Sequence, residues 1–85
     1  MTQSVQQEIR RVIGEHARLA VDTATLADDA DLYEAGMTSH ASVNVMLALE
    51  DAFDVEFPDR MLKRDVFESI DRIAAAVAEL RGAAA

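Results

Sequence analysis

The sequence predicts an all-α fold, a small antiparallel four-helix bundle with a long first loop and a short third helix. Apolar residues recur at helical spacing in separate segments, no stretch alternates with the period of two that a strand requires, and only three Gly and one Pro interrupt 85 residues. A chain of this length fits a single domain, residues 1–85. It buries only somewhat more than about 60% of its unfolded surface, so its core must be economical.

The first helix is expected over about residues 4 to 20, where Val5, Ile9, Val12, Ile13, His16 and Ala20 share one face and Ser4 with Gln7 forms a capping box. From Val21 to Thr38 the pattern breaks into Asp, Thr, Ala and Gly, with apolar anchors at Leu26, Leu32, Tyr33 and Met37. This is a long packed loop; in a small domain a structureless loop of this length marks either function or a missed element, and a short helical turn near Asp31 to Ala35 would shorten it.

The second helix is expected over about residues 39 to 54, with Ser42, Val45, Met46, Leu49, Ala52 and Phe53 on its apolar face. A second, shorter stripe, His40, Val43 and Leu47, lies off that face and is hard to bury in so small a bundle, which marks it for a partner. Pro58 suits the first turn of a short third helix containing Met61 and Leu62. Ser69 caps a fourth, in which Ile70, Ile73, Val77 and Leu80 form one face before Gly82, and the residues beyond form a frayed end.

Charge and composition exclude several functions. The net charge is −8, and it is unevenly placed: residues 19–59 hold ten acids and no Lys or Arg, while the other 44 residues sum to +2. Such a chain is a poor ligand for a phosphate backbone, so no nucleic acid is expected, and its acidic middle suits a solvated face or a docking surface for basic partners. With no cysteine and two unclustered histidines, neither a disulfide framework nor a metal site is expected. Asp29-Ala-Asp31-Leu-Tyr33 fails as a calcium loop, having neither an acidic or amide residue at its fifth position nor Gly at its sixth. Met1 to Arg11 contains no apolar run of signal-peptide length, and no uncharged apolar stretch approaches the roughly 20 residues that cross a bilayer. A cytoplasmic monomer with no membrane association is expected.

Catalytic candidates are thin. His16 lies on a core-facing stripe, His40 is isolated, and no triad can be assembled, so no catalytic residue is expected. Ser39 differs by its place. At the start of a helix its hydroxyl lies beside unpaired backbone N–H groups and the positive end of the helix dipole, which would stabilise a phosphate attached there; by position alone, an ordinary N-cap role competes with this.

The surrounding string is more specific. Asp31-Leu32-Tyr33-Glu34-Ala35-Gly36-Met37-Thr38-Ser39-His40, then Val43, and then Met46 through Asp59 with Phe53, Phe57 and Pro58, resembles the acyl carrier protein family. That family shows an apolar-acidic lead-in, a Gly-x-Asp-Ser-Leu attachment motif, an amphipathic helix and an acidic-Phe-x-x-x-(Ile/Phe)-Pro ending.

The resemblance implies a carrier with no catalysis of its own. Ser39 would receive 4′-phosphopantetheine covalently from coenzyme A through a phosphopantetheinyl transferase, supplying the thiol that the cysteine-free chain lacks. Thr38 is the rival hydroxyl, but the resemblance aligns the modified serine with Ser39 and the usual aspartate with Thr38. His40 stands in place of the usual leucine, and Ala41 and Asn44 stand where fatty-acid carriers often have acids.

These departures suggest a dedicated partner, with Met37, Thr38, His40, Val43, Asn44 and Leu47 as its contacts. The specialised stand-alone carriers of bacteria are the nearest match, including aminoacyl carriers loaded by an amino acid:carrier protein ligase similar to a class II aminoacyl-tRNA synthetase core. A downstream acceptor enzyme would then take the cargo. The alternatives are a fatty-acyl or other acyl carrier served by an acyltransferase, with its chain among Val45, Met46, Leu49, Phe53, Ile70 and Ile73, and an unmodified acidic helical adaptor. A core without a cavity would favour the aminoacyl reading.

Overall fold

A computed structural model describes residues 5–17, 19 and 22–84, without the side chains of 24, 83 and 84. Among them are three α-helices, α1 (Val5–His16), α2 (Ser39–Phe53) and α3 (Ile70–Ala84), with short 3₁₀ turns at Thr23–Thr25, Asp59–Met61 and Arg64–Phe67. The all-α expectation holds. The short third helix is instead two 3₁₀ pieces, with Pro58 just before the first of them rather than inside its first turn. Between the two pieces Leu62 (φ −84°, ψ 64°) and Lys63 (φ −129°, ψ 152°) leave the helical region, so the winding is broken into turns of three and four residues.

In α1, Ile9, Val12 and Ile13 are buried and Ala17 extends that face one step past the helix, while His16 is half-buried at its edge. Ser4 and Ala20, which bound the expected first helix, lie outside the described residues. Helix α1 packs against both α2 and α3, the Thr23–Thr25 turn packs on α1, and the Arg64–Phe67 turn packs on α3. The centre is made by Ile9 and Ile13 of α1, Leu32 of the loop, Val45 and Leu49 of α2, and Ile70, Ile73 and Val77 of α3, all fully buried. Each contributes about 1.5–3 kcal/mol through removal of its side chain from water.

The long loop is fastened rather than loose. Leu32 is fully buried, and its N–H donates to the carbonyl of Glu68 (2.7 Å), while the Asp71 N–H donates to the carbonyl of Asp28 (2.9 Å). Arg10 of α1 reaches across with its guanidinium, donating to the carbonyls of Thr23 and Leu26 (2.9 Å for the latter) and pairing with Asp28. The expected turn near Asp31 to Ala35 is present: the Asp31 carboxylate accepts from the N–H groups of Tyr33 (2.9 Å) and Glu34 (3.2 Å), and Ala35 N–H donates to the Asp31 carbonyl (3.1 Å). Gly36 ends it at φ 119°, a value that disfavours any side chain.

Helix α2 ends at Phe53, where Asp54 takes the left-handed conformation at φ 54° and ψ 51°. Glu50 then binds the departing chain, its carboxylate accepting the Phe57 N–H at 2.8 Å, and Phe57 packs on Phe67 with ring centroids 5.4 Å apart. The fourth expected segment is α3. Ser69 caps it as anticipated, its hydroxyl accepting the Arg72 N–H at 3.1 Å. The helix does not stop at Gly82 but continues to Ala84, because Arg81 before it and the alanines after it are strong helix formers.

Candidate site at the start of the second helix

The start of α2 is built by the residue before it. Thr38 is extended at φ −85° and ψ 165°, and its Oγ1 accepts the Ala41 N–H at 3.0 Å, while its carbonyl accepts the Ser42 N–H at 2.9 Å. Thr38 is therefore the N-cap, and Ser39 is the first helical residue, one place further in than a capping serine. The division of labour matters chemically: the Thr38 hydroxyl is engaged in holding the helix, whereas Ser39 is exposed at the helix's positive end. The Ser39 carbonyl accepts from the Ser42 hydroxyl at 2.7 Å, which steadies the first turn from the side.

A groove of about 450 Å³ opens beside Ser39. Ser42, Val43 and Met46 of α2 line it together with Ser39, and Leu62, Lys63, Arg64 and Phe67 line it from the segment that precedes α3. Tyr33 of the long loop also borders the groove, with the Arg64 guanidinium stacked 4.1 Å from its ring centroid. The site thus combines an exposed hydroxyl, apolar side chains and two cations.

The six residues expected to face a partner are not equivalent. Thr38, His40, Val43, Asn44 and Leu47 are all exposed, Val43 by 49% and Leu47 by 53%. Met37 is corrected as a partner contact, being only 3% exposed, but is the loop anchor also expected of it: a core residue immediately before the cap, with its N–H donating to the Leu32 carbonyl at 3.0 Å. Ala41 is likewise core at 5% exposure, where an acid would be costly. On the expected apolar face of α2, Val45 and Leu49 are buried, Ser42, Met46 and Phe53 are half-buried, and Ala52 is exposed. The exposed stripe separates concavities: Val43 belongs to the groove beside Ser39, His40 and Asn44 line a recess with Gly36 and Thr38, and Leu47 borders Glu15 and His16.

Residues missed in the sequence are Leu62, Lys63, Arg64 and Phe67, with Tyr33 known only as an anchor. The signal available was the abrupt return of positive charge at Arg60, Lys63 and Arg64 after 41 residues without any. Among the described residues no group of His, Cys, Asp and Glu could hold a metal ion, and no helix is long and apolar enough to cross a membrane.

Comparison with known proteins agrees with this geometry. An aminoacyl carrier protein of Agrobacterium fabrum is 49% identical over 65 residues, covering 76% of this chain and 78% of the relative. Among solved structures, a chain in the crystal structure of an engineered Bradyrhizobium japonicum glycine:[carrier protein] ligase complexed with carrier protein from Agrobacterium tumefaciens and AMP superposes with a TM-score of 0.84 at 45% identity. That match covers 86% of this chain and 97% of the other. A chain in the Bradyrhizobium japonicum glycine:[carrier protein] ligase complexed with glycylated carrier protein matches with a TM-score of 0.73 at 28% identity, covering 85% and 96%. The phosphopantetheine attachment site family matches residues 3–77, and with an aminoacyl carrier protein as a near relative, the chain belongs to this family of phosphopantetheine-dependent carrier proteins, which hold cargo and do not themselves catalyse.

Proposed function

We propose that the protein is a cytoplasmic aminoacyl carrier, with Ser39 as the attachment residue for 4′-phosphopantetheine. The observation that carries the cargo assignment is the 49% identity to an aminoacyl carrier protein, supported by structural likeness to carrier chains held by glycine:[carrier protein] ligases. The residues suit the group. Ser39 offers an exposed hydroxyl at a helix start, Thr38 is occupied in capping, and Lys63 and Arg64 line the same groove as Ser39. When attached, the arm supplies the thiol on which the cargo is carried as a thioester.

The chain's own residues present this group. Thr38 fixes the helix start, Leu32 and Met37 pin the loop that leads into it, and the buried face of α2 holds Ser39 on a rigid support. The exposed residues Thr38, His40, Val43, Asn44 and Leu47 form the surface offered to a phosphopantetheinyl transferase, to an amino acid:carrier protein ligase and to a downstream acceptor. This surface carries no acid or base apart from His40, so apolar contact and hydrogen bonding would select its partners.

The packing favours a small cargo over a fatty-acyl chain. Of the six residues that would surround an acyl chain, Val45, Leu49, Ile70 and Ile73 are 0% exposed and do not line the groove beside Ser39, Phe53 is half-buried outside it, and Met46 alone lines it. A long acyl chain would have to open this core, whereas an amino acid needs no apolar tunnel. The test is to offer the phosphopantetheine-bearing protein ATP and single amino acids with a glycine:[carrier protein] ligase, and separately fatty acids with an acyl-activating enzyme. The proposal expects a hydroxylamine-labile mass increment of one amino acid; loading by fatty acid alone would overturn it.

A further inference from the structure

Lys63 is the only lysine among the 85 residues, and the chain has no cysteine. It therefore carries the one side-chain amine of the protein. That amine is placed beside the attachment site, since Lys63 and Ser39 border the same groove of about 450 Å³. The backbone under Lys63 is fixed: its carbonyl accepts the Val66 N–H at 3.1 Å, and it enters the Arg64–Phe67 turn in an extended conformation. Its side chain is exposed. The other polar groups on the groove are poorer acyl acceptors. Arg64 stays protonated, Ser42 donates its hydroxyl to the Ser39 carbonyl at 2.7 Å, and Tyr33 would form an ester that is itself a reactive acyl donor.

We propose that Lys63 is a site of self-acylation, taking the cargo from the thioester on the prosthetic arm of the same molecule. This rests on Ser39 being the attachment residue, and it holds for an aminoacyl or a fatty-acyl cargo alike. The neutral Nζ attacks the thioester carbonyl, a C–N bond forms and the C–S bond breaks, while the proton lost by nitrogen passes through water to the departing sulfur. The products are an amide on Lys63 and a free thiol on the arm, with no oxidant or co-reactant consumed. Amide resonance, which a thioester lacks in comparable strength, makes the transfer downhill. Tethering supplies the rate, because a thioester anchored at Ser39 meets the amine at an effective concentration that a dilute external amine does not reach. The outcome for the groove depends on the cargo. An amino acid brings its own α-amine and so preserves the cation, whereas a simple acyl group removes the charge. In both cases the thiol is freed for reloading, and one cargo is lost to the partners.

The experiment attaches a glycyl-bearing arm directly from glycyl-coenzyme A with a broad-specificity phosphopantetheinyl transferase, in the wild type, K63R and Ser39→Ala. Residual glycyl-coenzyme A is removed and the proteins are held at about pH 8.5, where more lysine amine is neutral than at neutrality. Intact mass is followed before and after hydroxylamine. K63R keeps a cation at an exposed position, so it should fold as the wild type does, and its circular dichroism checks this. In the wild type a glycyl increment resistant to hydroxylamine should grow at a rate independent of protein concentration, matched by free thiol on the arm. Tryptic peptides should place it on Met61–Arg64, uncut after Lys63. K63R should carry the labile glycyl increment and none that resists, and Ser39→Ala should carry neither. A glycyl group that stays wholly labile in the wild type, or a resistant one that forms equally in K63R, forms on Ser39→Ala or grows faster at higher protein concentration, would overturn self-acylation while leaving the attachment intact. Absence of the arm's own mass increment in the wild type would overturn both.

Discussion

Thr38 caps the helix that Ser39 begins, its Oγ1 accepting the Ala41 N–H at 3.0 Å. The two adjacent hydroxyls therefore have separate tasks, one structural and one available for chemistry. Thr38→Ala should cost about 1 kcal/mol of stability, in the 0.5–2 kcal/mol range of lost caps. Thr38→Asp should keep the cap and gain from the helix dipole, leaving stability equal or slightly higher. Urea denaturation of both variants checks this, and equal midpoints for Thr38→Ala and the wild type would deny Thr38 its capping role.

Val43 and Leu47 are exposed apolar residues on the same helix as Ser39, and Val43 also lines the groove. Val43→Asp should lower the kcat/KM of cargo loading about fivefold or more, equivalent to ~1 kcal/mol of partner contact, with thermal stability changed by less than about 0.5 kcal/mol. Steady-state loading kinetics and a melting curve separate the two. A large fall in Tm would show that Val43 supports the fold rather than a partner.

Arg10 fastens the loop to α1 through the carbonyls of Thr23 and Leu26 and the carboxylate of Asp28. Arg10→Met keeps most of the apolar stem but leaves those acceptors without their cation. It should cost about 1.5–3 kcal/mol, the range for hydrogen bonds to charged groups. Hydrogen exchange should quicken over residues 22–30 well before the helices exchange.

On the outer face of α1, Arg11 binds Glu8 and Glu15. Hydrogen bonding from the Arg11 guanidinium lowers the Glu8 pKa from its ordinary value, opposed by desolvation and aided by charge attraction to Arg11. Because the folded-state pKa is depressed, the stabilisation is present above the ordinary glutamate pKa and disappears as pH falls through the depressed value. The pair is solvent-exposed and salt-screened, so the effect is small. Tm measured against pH should show the wild type above Arg11→Gln near neutrality, with the two curves converging in acid and in high salt.

The three long helices were legible because their burial depends on local periodicity: Ile9, Val12 and Ile13, Val45 and Leu49, and Ile70, Ile73 and Val77 occupy the faces their spacing implies. The Ser69 cap was equally legible, being a short-range hydrogen bond of a residue type suited to it. At the other helix start, capping fell to Thr38, because two neighbouring hydroxyl residues both satisfy the pattern and only backbone geometry chooses between them. Met37, expected both to anchor the loop and to touch a partner, is the anchor alone, and Ala41, noted only as standing where other carriers have an acid, is core. The hold of Arg10 on residues 13 to 18 places away, and the approach of Lys63 and Arg64 to the Ser39 groove, depend on tertiary folding that no periodicity records.

The central claim is that this cysteine-free chain acts through a thiol borne on Ser39. The most direct measurement is intact mass after coexpression with a broad-specificity phosphopantetheinyl transferase, for the wild type and for Ser39→Ala. The account predicts one phosphopantetheine increment on the wild type and none on Ser39→Ala. An unmodified wild type would contradict the carrier function, and an increment that survives Ser39→Ala would contradict the site.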